Sequence, residues 1–185
     1  NSGAEANEAA IKLARKYSAD KYGEGRATII TLRQSFHGRT LAALSATGQP
    51  NYHKHFAPFV EGFRYVEANN LSALKDAMSN DVCAIMIEGI QGEGGVIPLE
   101  AAYVKEIEQI AAERDLLLIF DEVQTGNGRT GHYFSYQGFD VLPDLVTTSK
   151  GLGGGLPIGA LLVNEKCGDV LSAGTHGSTF GGNPI

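Results

Sequence analysis

The sequence predicts an α/β fold of three layers, α/β/α, around a mostly parallel sheet. Three observations carry this. Short runs that are apolar throughout, such as Val82-Cys83-Ala84-Ile85-Met86-Ile87 and Leu116-Leu117-Leu118-Ile119-Phe120, read as strands buried on both faces. Stretches with apolar residues at helical spacing separate such runs, which is the alternation that builds a parallel sheet. The 24 glycines cluster at 92–95, 126–131, 151–159 and 177–182, where backbone must adopt positive φ or come close to a ligand.

The elements follow in order. Residues 5–22 put Ala6, Ala9, Ala10, Leu13, Ala14 and Tyr17 at helical spacing, with Glu5 and Glu8 in the first turn, where the helix dipole favours negative charge. Residues 27–32 read as a strand, 40–47 as a short helix, 63–66 as a weak strand and 71–78 as a helix. Residues 82–87 form an apolar, β-branched strand that ends in Glu88. Residues 100–114 are amphipathic, with Tyr103, Val104, Ile107, Ile110 and Ala111 on one face. Strands are then expected at 116–120, 144–148 and 158–163. No repeat, low-complexity stretch or linker interrupts the pattern, so residues 1–185 read as one domain.

Composition narrows the class. A hydrophobic fraction of 43% and a charged fraction of 19% describe an ordinary globular chain. The net charge of −6 gives no electrostatic case for nucleic acid. No apolar run approaches the roughly 20 residues that span a bilayer, and no signal-peptide pattern is present, so no membrane role and a cytoplasmic location are expected. Cys83 and Cys167 are far apart and make no ligand pattern; free buried thiols, and no metal site, are the reading.

In such folds ligands sit beyond the carboxyl ends of strands. Asp121 ends one strand pattern, and Lys150 follows another and opens Gly151-Leu152-Gly153-Gly154-Gly155-Leu156-Pro157, a loop too glycine-rich for helix. A lysine that can hold an aldehyde and a carboxylate that can hold a ring nitrogen are what pyridoxal phosphate (PLP) requires. Burial beside cationic charge would keep such a lysine neutral and nucleophilic. Gln124 can donate to a phenolic oxygen. Asn1-Ser2-Gly3-Ala4-Glu5 is a helix start: a plain N-cap, or an anion site in which the N–H groups of Gly3 and Ala4 meet a phosphate that glycine lets approach. Phe36 suits either the core or a stacked planar ring, His37 reads best as a hydrogen-bonded structural histidine, and Arg39 suits a carboxylate if it faces the pocket. Ser178 and Thr179 offer two hydroxyls in a glycine-rich loop. Gly151–Gly155 is not a nucleotide P-loop, because the lysine precedes the glycines and no Gly-Lys-Ser/Thr occurs.

Six segments together resemble the class III PLP-dependent aminotransferases: NSGAEANEAA (1–10), FHGRTLAALSATGQ (36–49), IEGIQGEGG (87–95), FDEVQTGNGRTG (120–131), TTSKGLGGGLPIGA (147–160) and GTHGSTFGGNP (174–184). They run in order along the chain, and Phe36-His37-Gly38-Arg39 favours the acetylornithine branch of the class over the ornithine δ-aminotransferases. The resemblance implies the large domain of PLP fold type I. It implies transamination of N2-acetylornithine with 2-oxoglutarate, in arginine biosynthesis, with another ω-amino donor (succinylornithine, ornithine, GABA or a polyamine) or an inactive cofactor-domain fragment as the alternatives. Lys150 is implied as the Schiff-base lysine and Asp121 as the ring-nitrogen partner. Glu122, Val123 and Gln124 complete the cofactor segment, and Gly3, Ala4 and Phe36 bind phosphate and ring. Arg39, Ser178 and Glu93 are implied substrate contacts. Thr179 is implied as a phosphate ligand supplied across a homodimer interface. Members of the class are about twice as long as this chain. It is therefore expected to be a fragment that lacks an N-terminal segment and the C-terminal small domain.

Overall fold

A computed structural model describes residues 1–184. Helix α1 (Gly3–Tyr22) is followed by β1 (Thr28–Leu32), α2 (Leu41–Ala46), α3 (Pro50–His53), β2 (Phe63–Val66), α4 (Leu71–Asp76) and β3 (Val82–Ile87). A small hairpin, β4 (Ile90–Gln91) and β5 (Ile97–Pro98), leads to α5 (Ala101–Arg114), β6 (Leu117–Asp121), β7 (Leu145–Thr148) and β8 (Ala160–Val163). The main sheet has the order β2-β1-β3-β6-β7-β8; its pairs are parallel except β7 with β8. The three-layer expectation holds.

Side-chain alternation explains the layers. In β3, Ala84 and Met86 face α1, and Ile85 and Ile87 face α5. In β6, Leu117 and Ile119 join the α1 side, and Leu118 and Phe120 the α5 side. Both strands are buried along their whole length, which is why they read as unbroken apolar runs. Each Leu, Ile, Met or Phe among them contributes about 1.5–3 kcal/mol on leaving water. Val104 and Ile107 of α5 and Ala10, Ile11, Leu13 and Ala14 of α1 are likewise sealed. Burial pushes the Cys83 thiol up to about 12 and the Cys167 thiol up to about 11, so both are inert core groups.

The expected elements fall where the sequence places them, with ends moved by at most two residues. Helix α1 starts earlier, at Gly3, because Ser2 caps it: its hydroxyl accepts from the Glu5 N–H at 3.2 Å. The hairpin and the single turn of α3 are too short for any periodicity to reveal. The segment after β7 corrects an expectation. Lys150–Gly153 is one turn of 3-10 helix, closed by i→i+3 bonds from Leu152 N–H to Ser149 and from Gly154 N–H to Gly151. Such a turn needs few residues and tolerates glycine, and Gly154, at φ 58°, ends it. Among the described residues no helix is long and apolar enough to cross a membrane.

Candidate active site

The carboxyl ends of β1, β3, β6 and β7 point the same way, and the N-terminus of α1 opens at that end. Between them lies a cleft of about 480 Å³. It brings together Gly3, Ala4, Phe36, Arg39, Glu93, Asp121, Val123, Gln124 and Lys150, nine of the residues singled out in sequence.

Asp121 forms the floor and is 3% exposed. Its Oδ2 accepts from Asn7 Nδ2 at 2.8 Å and from His37 Nδ1 at 2.7 Å; its Oδ1 accepts from the Val123 N–H at 3.0 Å and the Thr147 hydroxyl at 3.4 Å. No lysine or arginine pairs with it among the described residues. The carboxylate is oriented by an amide, an imidazole, a backbone N–H and a hydroxyl, and it lines the cleft. Glu88, at the end of β3, shares this floor and accepts from the Phe36 N–H at 3.1 Å. Burial, then the charge of Asp121, push the Glu88 carboxyl well above the usual carboxylate range.

Opposite stands Lys150. Its backbone is in the left-handed region at φ 46°, a conformation that costs a non-glycine residue energy. The residue is exposed, not buried as expected, because the 3-10 turn lifts it onto the cleft wall. Its amine makes no hydrogen bond or ion pair among the described residues.

Helix geometry leaves the N–H groups of Gly3 and Ala4 without intrahelical acceptors, facing the cleft. A Cβ at Gly3 would fall 2.6 Å from Val123 Cγ1, so the glycine is required for packing against Val123. Phe36 is half-buried on the wall and meets Tyr52 edge-on at 5.4 Å. Arg39 reaches the rim, its guanidinium 4.7 Å from the Tyr52 ring centre. Gln124 donates to Glu93 at 3.2 Å. Gly92 permits that approach, since a Cβ there would overlap the Gln124 amide.

Three expected site residues lie elsewhere. Glu122 is fully buried and turns away from the cleft; it accepts from Thr125, from the Ser135 hydroxyl at 2.7 Å and from the Tyr136 N–H at 2.9 Å, and so shapes the loop after β6. Ser178 lies beside the start of α1, bonded to Asn1 and Glu5, and Thr179 is exposed next to it. Sequence reasoning did not single out Asn7 or Thr147, and it noted Glu88 only as a strand end. Asn7 could have been found as a polar residue on the apolar face of α1; Thr147 carries no local signal.

A doubly wound sheet whose strand ends present a fixed carboxylate, a free lysine and an open helix N-terminus defines an enzyme of the PLP-dependent transferase type. The chain belongs to the aminotransferase class-III family, whose model matches residues 1–185. It is 58% identical over its full length to an acetylornithine aminotransferase of Haemophilus ducreyi, covering 47% of that protein. It is 52% identical to a succinylornithine transaminase of Photorhabdus laumondii, covering all of this chain and 46% of the relative. The solved ornithine aminotransferase of Toxoplasma gondii, reported with partial occupancy of PLP at its active site, superimposes with a TM-score of 0.93 at 38% identity; the match covers all of this chain and 44% of that one. The chain thus spans about half the length of the curated relatives it matches.

Class III aminotransferases are PLP enzymes, and the residues present fit that cofactor. Among the described residues, the floor holds a carboxylate that no lysine or arginine pairs with, α1 offers free N–H groups for a phosphate, and an unpaired amine stands across the cleft.

Proposed function

We propose that residues 1–185 form the cofactor-binding large domain of an aminotransferase that moves the amino group of N2-acetylornithine to 2-oxoglutarate. The observation that carries this is the convergence of Asp121, Lys150 and the α1 N-terminus on one cleft. The 58% identity to an acetylornithine aminotransferase supports the donor. The expected setting is arginine biosynthesis in the cytoplasm, by a homodimer in which Thr179 serves the partner's phosphate site.

When bound, PLP supplies an electron sink for the carbon that loses its proton. Asp121 holds a proton on the ring nitrogen, and keeps its aim because Asn7, His37 and Val123 fix both carboxylate oxygens. Gly3 and Ala4 bind the phosphate through backbone N–H groups. Phe36 and Val123 give the cleft apolar walls, and Gln124, whose amide already gives one N–H to Glu93, would donate its other to the phenolic oxygen. Lys150 Nζ, unpaired among the described residues, would take the proton from the amine-bearing carbon and deliver it to the aldehyde carbon of the cofactor. Arg39 at the rim receives a substrate carboxylate.

In the full-length enzyme, borohydride with PLP should label Lys150 covalently, and Lys150→Ala should lose the label and at least about a thousandfold in turnover. Normal turnover by that variant would sink the assignment. Succinylornithine is the second reading, supported by the transaminases at 52% identity. A donor panel with 2-oxoglutarate separates the two, and a preference for GABA or ornithine would overturn both.

A further inference from the structure

We propose that His37 is a positioning residue for Asp121. A neutral ring, donating through Nδ1–H, holds the carboxylate as a fixed anion aimed into the cleft. The proposal rests on the PLP reading only for what that anion faces.

The ring is fully buried and its Nδ1 stands 2.7 Å from Asp121 Oδ2. Nε2 is buried and has no hydrogen-bond partner among the described residues. A proton on Nε2 would be a buried donor without an acceptor, which costs about 1–3 kcal/mol. Asp121 is acceptor-only when ionised, so the one ring proton belongs on Nδ1. The backbone leaves the ring little latitude. The His37 N–H donates to Thr47 Oγ1 at 2.9 Å, and its carbonyl accepts from Asn7 Nδ2 at 2.7 Å. Gly38, at φ 139°, turns the chain so that His37 enters the floor while Arg39 reaches the rim. A Cβ at Gly38 would lie 2.9 Å from Ala43 Cβ and 3.0 Å from Ala4 Cβ, so the turn excludes side chains by space as well as by dihedral angle.

Asn7 completes the arrangement. Its one amide group donates to both the His37 carbonyl and Asp121 Oδ2. Histidine, carboxylate and helix α1 are therefore one buried unit. Three of its donors to Asp121 are neutral N–H groups, and none cancels the negative charge. Arg39, Glu88, Glu93 and Lys150, the other ionisable side chains lining the cleft, make no hydrogen bond or ion pair with the ring.

The test uses the full-length protein. His37→Phe fills the space without a donor, and His37→Asn returns an N–H near the Nδ1 position. PLP affinity is measured by equilibrium dialysis. His37→Phe should weaken it about tenfold, the scale of one hydrogen bond to a charged group, and His37→Asn should recover most of the loss. A purely structural histidine would show no such rescue. Phe binding PLP as the wild type does, or Asn binding as weakly as Phe, would overturn the proposal. In the cofactor-free protein, a nitrogen-15 correlation spectrum should show His37 as the Nδ1–H tautomer, with that proton shifted upfield in Asp121→Asn. Absence of that signature overturns the proposal as well. Wild-type protein that shows the signature but does not bind PLP counts against the functional reading and leaves the His37–Asp121 bond supported.

Discussion

Strand β6 has an aspartate at each end, and the two are treated in opposite ways. Asp115, in the left-handed C-cap of α5 just before β6, accepts from Lys21 at 2.7 Å, Lys166 at 2.9 Å, Tyr17 at 3.3 Å, and Tyr22. Burial alone would raise its carboxyl, but the hydrogen bonds of Lys21, Tyr22 and Lys166 outweigh that and hold it far below the usual range. Asp121, at the other end, is held by neutral groups. One carboxylate is neutralised within the chain and serves to fasten α1, α5 and the turn at Glu165–Cys167 together. The other keeps its charge. A protein that needs an anion for a ligand must orient it without supplying a cation, and the donors around Asp121 do that.

Substitutions at the two ends should separate these roles. The largest effect is expected from Asp121→Asn, which keeps the shape and removes the charge. Turnover of the full-length enzyme should fall roughly a hundredfold or more, the scale of a lost electrostatic contact to a reacting group, while unchanged kinetics would erase the distinction. Asp115→Ala should do the reverse. Stability should fall by about 1–3 kcal/mol, since several donors lose their acceptor, with PLP affinity unaltered; thermal melts and dialysis read the two. The Asp115 carboxyl is depressed in the folded state, so its contribution is present above the unfolded value of about 4 and is lost as pH falls below it. The acid limb of the melting curve should therefore flatten in Asp115→Ala. The smallest effect is expected at Glu88, whose raised carboxyl has the opposite sign. It favours folding at low pH and loses that as pH rises from about 4.3 towards the folded value. Glu88→Gln should match the wild type in a melt near pH 4.5 and equal or exceed it near pH 8; a lower melting temperature at the alkaline end would show that Glu88 is ionised and paired.

Much of this was legible in the chain. Residues 82–87 and 116–120 are apolar throughout because both faces of the sheet are covered, and that signal is local. Asp121, Gln124 and Lys150 could be placed on strand ends and loops, and the cleft gathers them. What escaped was tertiary. The Asn7–Asp121 bond spans 114 residues and the His37–Asp121 bond 84, so no window of sequence contains either. Glu122 looked like part of the cofactor segment because it adjoins Asp121, yet successive residues at a strand end point to opposite sides, and it faces the loop. Lys150 looked buried because its strand is; the 3-10 turn that lifts it out depends on two backbone hydrogen bonds rather than on composition.

Helix α1 touches both aspartates, Asp121 through Asn7 and Asp115 through Tyr17, Lys21 and Tyr22. A helix advances 1.5 Å and turns about 100° with each residue. Inserting or deleting one residue between Asn7 and Tyr17 would leave one end out of phase whichever end stayed seated. Length changes between these two contacts of the helix are thus barred by geometry.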